Sequence, residues 1–408
     1  MIHLGDITKI KGDNIPPVDV ITFGSPCQDL SIAGKRAGLS GERSGLFMEA
    51  VRIIKEMREA TNGEYPKYAV WENVPGAFSS NKGEDFRAVL EELARIKEAG
   101  ISIPRPDKSK WAKAGLITGD DWSIAWRTMD AQHWGVPQRR LRISLVLDLT
   151  GGCAGEILFE PESLRGHFAP GVTAGQATAG TVENGAGTAD RVYAEVSNVC
   201  AFKLGNSEQA RSIGYAEELA PTLNAECGGN KPACAYTLKI RSGCEGGGKG
   251  ALVQTEKSAT LSGDKAVTLT TATGQGGANT GPSVIEKIIR RIVRRLTPTE
   301  CERLQGYPDG WTDLGEWIDS KGKTHKPADT PRYKALGNSI ALPQWYYVLG
   351  GIADRLPDNV TLGSLFDGIG GFPYVWAQLH SGRKELCVWA SEIEEFPIAV
   401  TKKWFAGE

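Results

Sequence analysis

Four short apolar runs, each followed by a polar or glycine-rich tip, constrain the fold of this chain most strongly. They occupy residues 18–23, 68–71, 362–366 and 387–390. Continuous apolar runs of this length are typical of strands buried on both faces of a parallel sheet. Amphipathic patterns at 47–57 and 86–96 predict helices, and 123–134 with 143–147 predict an antiparallel strand pair. We therefore predict an α/β protein whose polar tips meet at the carboxyl edge of one sheet, where such folds bind ligands.

Composition places the chain among globular proteins. Its 408 residues are 40% hydrophobic and 24% charged, enough for one large domain and a smaller one. The net charge of −2 argues neither for nor against a polyanionic partner. No apolar run approaches the roughly 20 residues of a membrane span. Eight cysteines without a C-x-x-C pair, and with no signal peptide before them, predict a reduced cytoplasmic setting.

The composition changes at about residue 150. Residues 151–283 contain none of the chain's 11 tryptophans but 23 of its 50 glycines. We interpret them as an irregular β-rich domain inserted between the two parts of an α/β domain, residues 1–150 and 284–408. The cysteines of the insertion are irregularly spaced with no histidine nearby, so no metal site is predicted. Residues 287–295, with five cations, fit a solvated helical face or phosphate contacts, and a helix start follows at Thr297.

Two polar tips carry candidate catalytic groups. Cys27 follows the run 18–23 in the sequence Gly-Ser-Pro-Cys-Gln, and Glu72 follows the run 68–71. A lone cysteine is more often a small buried hydrophobe than a nucleophile. Because both tips are predicted at one sheet edge, together with a basic stretch at 138–142, a catalytic role for Cys27 is favoured.

A third tip has the pattern of a nucleotide-cofactor site. The glycine-rich residues 366–371 follow a strand, and Glu392 stands 24 residues after Gly368 at the tip of the next one. Pro373 occupies the place of the third glycine of the dinucleotide fingerprint, so a pyrophosphate is not indicated. We predict an adenosine-bearing cofactor without phosphates, with Glu392 on the ribose hydroxyls and Asp6 on the adenine amine.

Five motifs together resemble the DNA (cytosine-5) methyltransferases. They are Pro26-Cys27-Gln28, Glu72-Asn73-Val74, Gln138-Arg139-Arg140-Leu141-Arg142, Gly337-Asn338-Ser339 and Phe366-Asp367-Gly368-Ile369-Gly370-Gly371. The likeness covers nearly all of the chain outside 151–283. It implies a Rossmann-like S-adenosylmethionine-dependent methyltransferase sheet with helices on both faces, plus a small irregular β-rich target-recognition domain. It also implies S-adenosyl-L-methionine as the methyl donor.

The order of these motifs departs from the family's usual order. There the glycine loop and the ribose-binding acid open the chain, whereas here they close it. The sequence thus resembles a circularly permuted member of bacterial or phage type, whose new connection lies at about residues 354–360. A smaller departure is Asp367, at a position where the family often has a small residue.

The resemblance implies specific roles for the tip residues. Cys27 would add to carbon 6 of a cytosine flipped out of the duplex, and Glu72 would engage ring nitrogen 3 and the exocyclic amine. Arg142, with Arg140, would hold the base carbonyl, and both would favour the Cys27 thiolate. The loop at 29–45 would close over the base, and the insertion would read base edges in the major groove.

The binding residues implied by the resemblance fall into two sets. The cofactor-binding residues are Asp6, Ile7, Pro26, Leu46, Asn338, Ser339, Phe366, Asp367, Gly368, Ile369, Gly370, Gly371, Glu392 and Ile393. The DNA-binding residues are Gln28, Ser31, Lys35, Arg36, Arg43 and Gln138. The expected partner is double-stranded DNA, bound by a monomer, and a cognate restriction endonuclease is a further candidate partner.

Three alternatives remain open at this point. The same chemistry could act on RNA, although the long insertion suits a DNA groove better than a tRNA loop. The chain could be a catalytically silent DNA-binding protein, which the complete set of Cys27, Glu72 and Arg142 disfavours. A nicotinamide-dependent oxidoreductase is the third alternative, weakened by the Pro373 mismatch.

Overall fold

A computed structural model describes the chain over most of its length. The described residues are 1–25, 45–106, 110–159, 194–203, 216–217, 219–220, 223, 232–240 and 289–405. Within them the largest sheet has eight strands. Their spatial order is β1 (Ile2–His3), β14 (Cys387–Ser391), β13 (Leu362–Leu365), β2 (Val20–Phe23), β3 (Tyr68–Asn73), β6 (Leu141–Asp148), β5 (Ser123–Asp130) and β4 (Ala114–Thr118).

The strand directions confirm the predicted sheet. From β1 to β3 the five neighbouring strands are parallel, so their carboxyl ends lie at one edge. The remaining strands β6, β5 and β4 are antiparallel to their neighbours, as predicted for the pair at 123–134 and 143–147. Because β6 runs against β3, its first residues lie at the edge where β3 ends.

Helices cover both faces of the sheet, which confirms the predicted fold class. On one face α1 (Gly45–Ala60) and α2 (Glu84–Ala94) share a core cluster with Ile21 and Phe23 of β2. On the other, Val20 of the same strand joins a second core cluster. The helices that contribute to this second cluster are α3 (Ala154–Leu158), α4 (Pro298–Gln305), α5 (Asp329–Asn338), α6 (Pro343–Ala353), α7 (Gly371–Leu379) and α8 (Glu395–Phe405). Burial of each large apolar side chain contributes about 1.5–3 kcal/mol, so the alternation within β2 fixes both layers.

A second, antiparallel sheet contains the described strands of the insertion. Its order is β10 (Ile289–Arg295), β9 (Pro232–Ile240), β7 (Ala194–Lys203) and β8 (Ala216–Glu217). The basic stretch at 287–295 is therefore mainly a strand, not the helical face considered from the sequence, and it extends the insertion's sheet beyond residue 283. The helix start predicted at Thr297 is confirmed by a capping box between Thr297 and Glu300.

Two smaller features complete the described structure. A short hairpin pairs β11 (Trp317–Ile318) with β12 (Thr324–His325). The two ends of the chain lie close together, since the Met1 ammonium donates to the carbonyl of Phe405 at 3.3 Å. Among the described residues, every helix is too short or too polar to cross a membrane.

Candidate active site

The carboxyl edge of the parallel strands brings most of the predicted tips together. Asp6, Glu392 and Asp367 follow the neighbouring strands β1, β14 and β13, and Glu72 lies at the end of β3. Between them, β2 ends at Phe23 and leads toward the segment that contains Cys27. Residues 26–44 lie outside the described structure, and with them the predictions for Pro26, Cys27, Gln28, Ser31, Lys35, Arg36 and Arg43.

Glu72 and Arg142 form an ion pair at this edge. Arg142 Nε lies 2.8 Å from Glu72 Oε1, and each side chain is 14% exposed. A second guanidinium nitrogen of Arg142 donates to the carbonyl of Leu141 at 2.9 Å. The pairing of β3 with β6 places Glu72 opposite Ser144, so Arg142 reaches back from the start of β6. A partly buried, charge-assisted hydrogen bond of this kind holds the carboxylate in one orientation.

The exit of β2 lies directly against Glu72. A β-carbon on Gly24 would come within 3.3 Å of Glu72 Oε2, so glycine allows the chain to pass close to the carboxylate. Ser25 follows, and its Oγ accepts from Trp71 Nε1 at 3.0 Å. Because Ser25 is two residues before Cys27, these contacts fix where the predicted nucleophile loop begins.

Asn73 of the Glu72-Asn73-Val74 motif, for which no role of its own was predicted from the sequence, connects two strands. Its Nδ2 donates to the carbonyl of Ser25 at 3.3 Å, and its Oδ1 accepts from the N–H of Val74 at 2.8 Å. The side chain is 2% exposed. One amide thus connects the end of β3 to the exit of β2, which gives the Glu-Asn-Val tripeptide a structural role beside the carboxylate.

Arg140 occupies a different place from Arg142. It is buried, and its guanidinium donates to the carbonyls of Leu223 and Gly337, each at 3.2 Å, and to that of Ser339. These bonds connect the insertion to the Gly-Asn-Ser motif. The prediction that Arg140 helps to hold the base finds no support in this arrangement, because carbonyl groups occupy its guanidinium.

Gln138, predicted to contact DNA, is fully buried. It forms a β-bridge with Ala220, flanked by hydrogen bonds from Arg139 N to the Ala220 carbonyl and from Ala220 N to the Pro137 carbonyl. The side chain of Gln138 therefore cannot reach DNA in this arrangement. Its segment instead docks the insertion on the main sheet.

The glycine loop and Glu392 are joined by a hydrogen bond. Glu392 Oε2 accepts from the N–H of Gly368 at 2.9 Å, and Oε1 accepts from the N–H groups of Ile393 and Glu394. Gly368 and Gly370 have φ of +60° and +79°, conformations that favour glycine. Gly371 has another reason to be glycine, since a β-carbon there would lie 2.5 Å from the Tyr307 hydroxyl oxygen.

Asp367 is the most unusual group of the loop. It is 7% exposed, and the one polar side chain of the described residues that interacts with its carboxyl oxygens is the Ser364 hydroxyl, at less than ideal hydrogen-bond geometry. Burial raises its pKa to about 8; the Ser364 hydroxyl opposes this rise, and the negative charge of Glu392 adds to it. A buried carboxyl group with so few partners is a position where a bound ligand can complete the hydrogen bonding.

The remaining predicted cofactor residues differ in accessibility. Asp6 Oδ1 accepts from Thr8 N and Oγ1, and these hydrogen bonds lower the Asp6 pKa. Ile393 is 69% exposed beside Glu392, whereas Ile7 is buried in the core. Leu46 is half-buried on α1, Phe366 and Ile369 flank the glycines, Asn338 is exposed at the end of α5, and the buried Ser339 hydroxyl bonds to Tyr307.

Comparison with known proteins identifies the family. The profile described as C-5 cytosine-specific DNA methylase matches residues 1–102 and 115–353. The chain belongs to this family. Membership implies S-adenosylmethionine as the methyl donor, which confirms the cofactor prediction and sets aside the nicotinamide alternative.

Individual relatives show how far the similarity extends. The DNA N-6-adenine-methyltransferase of Escherichia phage P1 is 31% identical over 88% of this chain, which spans only about half (55%) of that protein. The Type II methyltransferase M.HhaI of Haemophilus parahaemolyticus is 24% identical, covering 86% of this chain and 81% of its own. The solved structure of S. pombe Dnmt2 methyltransferase is 14% identical, with a TM-score of 0.41 and coverage of 86% and 83%.

The residues present fit the implied cofactor. Glu392 lies against the loop, positive-φ glycines let the backbone approach a ligand, and the carboxyl oxygens of Asp367 make no hydrogen bond of good geometry with the described residues. Within the described ranges, no group of three or more His, Cys, Asp or Glu side chains is arranged to hold a metal ion. The described site therefore combines a carboxylate–guanidinium pair with a glycine-lined cofactor edge.

Proposed function

We propose that this protein methylates carbon 5 of cytosine at specific sites in double-stranded DNA. The observation that carries the proposal is the Arg142–Glu72 ion pair, held beside Gly24 three residues before Cys27. The cofactor supplies the methyl group as a sulfonium-bound carbon. We assign its binding to the ends of β13 and β14, and the position of β13 next to β2 supports transfer to a base held at Cys27.

Each side chain has a chemical task in this proposal. The Cys27 thiolate forms a bond to carbon 6 of the cytosine, which makes carbon 5 electron-rich enough to accept the methyl group. Glu72 engages nitrogen 3 and the exocyclic amine, stabilising the ring as charge develops, and Arg142 keeps the carboxylate in place. Loss of the carbon-5 proton and cleavage of the sulfur–carbon bond then release the product and the thiol.

The target base has to leave the duplex, because carbon 6 cannot be reached within stacked DNA. We assign the closing of the pocket to the segment 29–45 and DNA reading to the insertion. The contacts of Ala220 and Leu223 with residues 137–140 support the second assignment, because they seat the insertion beside the Glu72–Arg142 pair. Type II methyltransferases among the relatives support site-specific methylation and a restriction–modification setting.

The proposal includes a circular permutation. Strands β13 and β14 come last in the chain but lie between β1 and β2 in the sheet, and the family match ends at residue 353. The proximity of Met1 and Phe405 supports a natural joint there. A chain that starts at residue 357, with a short linker from the present last residue to Met1, should fold and keep the activity. Loss of the fold in that chain would contradict the permutation.

Covalent trapping tests the reaction. Duplex DNA containing 5-fluorocytosine at the target site should form an adduct with the protein, because the fluorine cannot leave as a proton does. The variant Cys27→Ser should form none, while Cys387→Ser, which alters a buried cysteine of β14, should still form it. The target site itself comes from bisulfite sequencing of DNA from cells that express the protein.

Analysis of the methylated nucleoside distinguishes cytosine in DNA from two other substrates, adenine in DNA and cytosine in RNA. The name of the phage P1 relative raises adenine N6 methylation, but that match leaves 45% of the relative unaligned. Nucleoside analysis should give 5-methylcytosine from duplex DNA and no N6-methyladenine. Methylated tRNA without methylated duplex DNA would favour the RNA alternative, and a protein that binds DNA without either product would be catalytically silent.

A further inference from the structure

The buried Arg140 guanidinium joins three separate parts of the chain, and the proposed reaction gives it no task. It donates to the carbonyl of Leu223 in the insertion, to that of Gly337 in α5 and to that of Ser339 in the turn that follows. All four residues are buried. Charge-assisted hydrogen bonds that are shielded from water in this way hold the three backbone segments in one arrangement.

On one side, Arg140 belongs to the contact by which the insertion is attached to the main sheet. Arg139 N donates to the Ala220 carbonyl at 3.0 Å, and Ala220 N donates to the Pro137 carbonyl at 2.8 Å. Three residues after Ala220, the Leu223 carbonyl accepts from the Arg140 guanidinium at 3.2 Å. We call residues 137–140, with Ala220 and Leu223, the seat of the insertion. The guanidinium is the part of this seat that also reaches residues 337–339.

On the other side, the turn at residues 337–340 lies directly against the glycine loop. The hydroxyls of Ser339 and Tyr307 share a hydrogen bond. A β-carbon on Gly371 would lie 2.5 Å from the Tyr307 hydroxyl oxygen and 2.7 Å from Ile340 Cγ1, so both side chains touch the end of the loop. Because these groups are buried, the turn cannot shift without moving the loop that is predicted to bind the cofactor.

These contacts form a continuous path from the insertion to the glycine loop. In order, it passes through Leu223, Arg140, Ser339, Tyr307 and Gly371. Close-packed interiors have low compressibility, so a shift of one buried group displaces the groups packed against it. A ligand that holds the insertion on its seat therefore also holds the turn at 337–340 against the glycine loop.

We propose that Arg140 is a positioning residue through which DNA bound by the insertion strengthens the binding of the cofactor. The inference rests on the proposed function, which assigns DNA reading to the insertion. DNA held by both the insertion and the Glu72–Arg142 pair keeps the Leu223 carbonyl on the Arg140 guanidinium, and so keeps the turn in place beside the loop. Coupling of this kind is reciprocal, so the cofactor strengthens DNA binding by the same factor.

Calorimetric titration with S-adenosylhomocysteine, with and without saturating duplex DNA, measures the coupling without any methyl transfer. The duplex carries the target site that bisulfite sequencing identifies. For the full wild-type chain, the DNA should raise the affinity about tenfold, within the usual range of coupling between two sites. The variant Arg140→Lys keeps the charge but lacks the planar fork of donors, so its gain should be about threefold or less. Its affinity without DNA should stay close to that of wild type.

The ratio of the two affinities distinguishes coupling from a purely structural role. A weakened fold lowers both affinities together, whereas loss of the coupling lowers only the gain that DNA produces. Arg58→Lys is the matched control, because the Arg58 guanidinium donates to the carbonyl of Pro66 at 2.7 Å, just before the start of β3 and away from the seat. Its gain should equal that of wild type, and an equal loss in both lysine variants overturns the role of Arg140.

A second variant keeps the test decisive where Arg140→Lys does not fold. Tyr307→Phe removes only the hydroxyl that bonds to Ser339, and it changes neither Arg140 nor the insertion. It should also lower the gain produced by DNA. A gain within about twofold of the wild-type gain in Arg140→Lys, or in Tyr307→Phe where Arg140→Lys does not fold, overturns the inference.

The outcomes separate this inference from the proposed function. A wild-type protein that produces 5-methylcytosine in duplex DNA, yet binds S-adenosylhomocysteine equally well with and without that DNA, overturns the coupling alone. A wild-type protein that produces no 5-methylcytosine in duplex DNA overturns both.

Discussion

The side-chain amide of Asn73 donates to the carbonyl of Ser25, so the end of β3 holds the exit of β2 in place. Trp71 contributes a second bond to the Ser25 hydroxyl. These contacts restrain the chain two residues before Cys27. The geometry of the proposed nucleophile therefore depends on a neighbouring strand as well as on its own loop.

Removal of the hydrogen bond from Asn73 to Ser25 should slow the reaction without weakening cofactor binding. We expect Asn73→Ala to lower kcat by about 10- to 100-fold, because small displacements of a reacting group are costly. The affinity for S-adenosylhomocysteine should remain within twofold of wild type. Asn14→Ala, at an exposed asparagine, is the matched control and should leave both values unchanged. An Asn73→Ala protein with wild-type kcat would show that Ser25 needs no anchor.

Glu72→Gln should abolish most of the turnover while leaving the fold intact. The amide keeps the size of the side chain but loses the charge that pairs with Arg142 and that we propose engages the target base. We expect kcat to fall by about 100-fold or more, the usual effect of losing a general acid–base group. Single-turnover methylation of duplex DNA measures this, with the exposed Glu98→Gln as control. Unchanged turnover would exclude Glu72 from the mechanism.

Gly371→Ala should destabilise the protein through a single methyl group. The added β-carbon would lie 2.5 Å from the Tyr307 hydroxyl and 2.7 Å from Ile340 Cγ1. Overpacking of this kind costs about 1–3 kcal/mol of unfolding free energy, measured by urea denaturation. Gly100→Ala has open space around its β-carbon and should cost far less. Equal stability of the two variants would mean that α7 shifts freely.

Arg140→Met should be more harmful to stability than Arg139→Met. The buried Arg140 guanidinium satisfies three carbonyl groups, whereas the side chain of Arg139 is exposed. Leaving those carbonyls without a donor costs about 1–3 kcal/mol for each group that water cannot reach. Urea unfolding of both variants gives the comparison. Similar losses in the two would mean that the carbonyls find water instead.

In the cofactor-free protein, the unfolding free energy of Asp367→Asn should increase relative to that of wild type as the pH rises. The folded-state pKa of about 8 exceeds the ordinary 3.8, so the folded state binds the proton more tightly than the unfolded chain. The contribution of Asp367 to stability is therefore largest below pH 4 and is lost progressively up to about pH 8. Asparagine carries no such dependence. Unfolding free energies of the two proteins at pH 5, 6 and 7 should diverge, and parallel values would contradict the raised pKa.

The parallel strands of the core were predictable because local sequence patterns determine them. Runs such as 18–23 are apolar except for Asp19 and Thr22, a composition typical of a strand buried on both faces. The helix start at Thr297 was equally local, since a capping box needs only four residues. By contrast, residues 289–295 alternate apolar and basic positions in a way that fits more than one structure. These residues form a strand because they pair with β9, some fifty residues away in the sequence.

The different partners of Arg140 and Arg142 were not predictable from the stretch 138–142. Nothing local distinguishes the two guanidinium groups. Arg142 stands inside β6 and meets Glu72 across the strand pair, whereas Arg140 precedes the strand and meets carbonyls from residues 223, 337 and 339. Such partners come from remote parts of the chain, so only the folded structure separates a proposed base-holding residue from a buried support.

The bridge between Gln138 and Ala220 has a consequence for chimeric proteins. An exchange of the insertion between relatives would transplant both its outer surface and the few residues that seat it on the sheet. Hybrids cut so that residues 219–223 stay with residues 137–140 should retain catalysis while adopting the donor's sequence preference. Hybrids that separate the two segments should lose the attachment first.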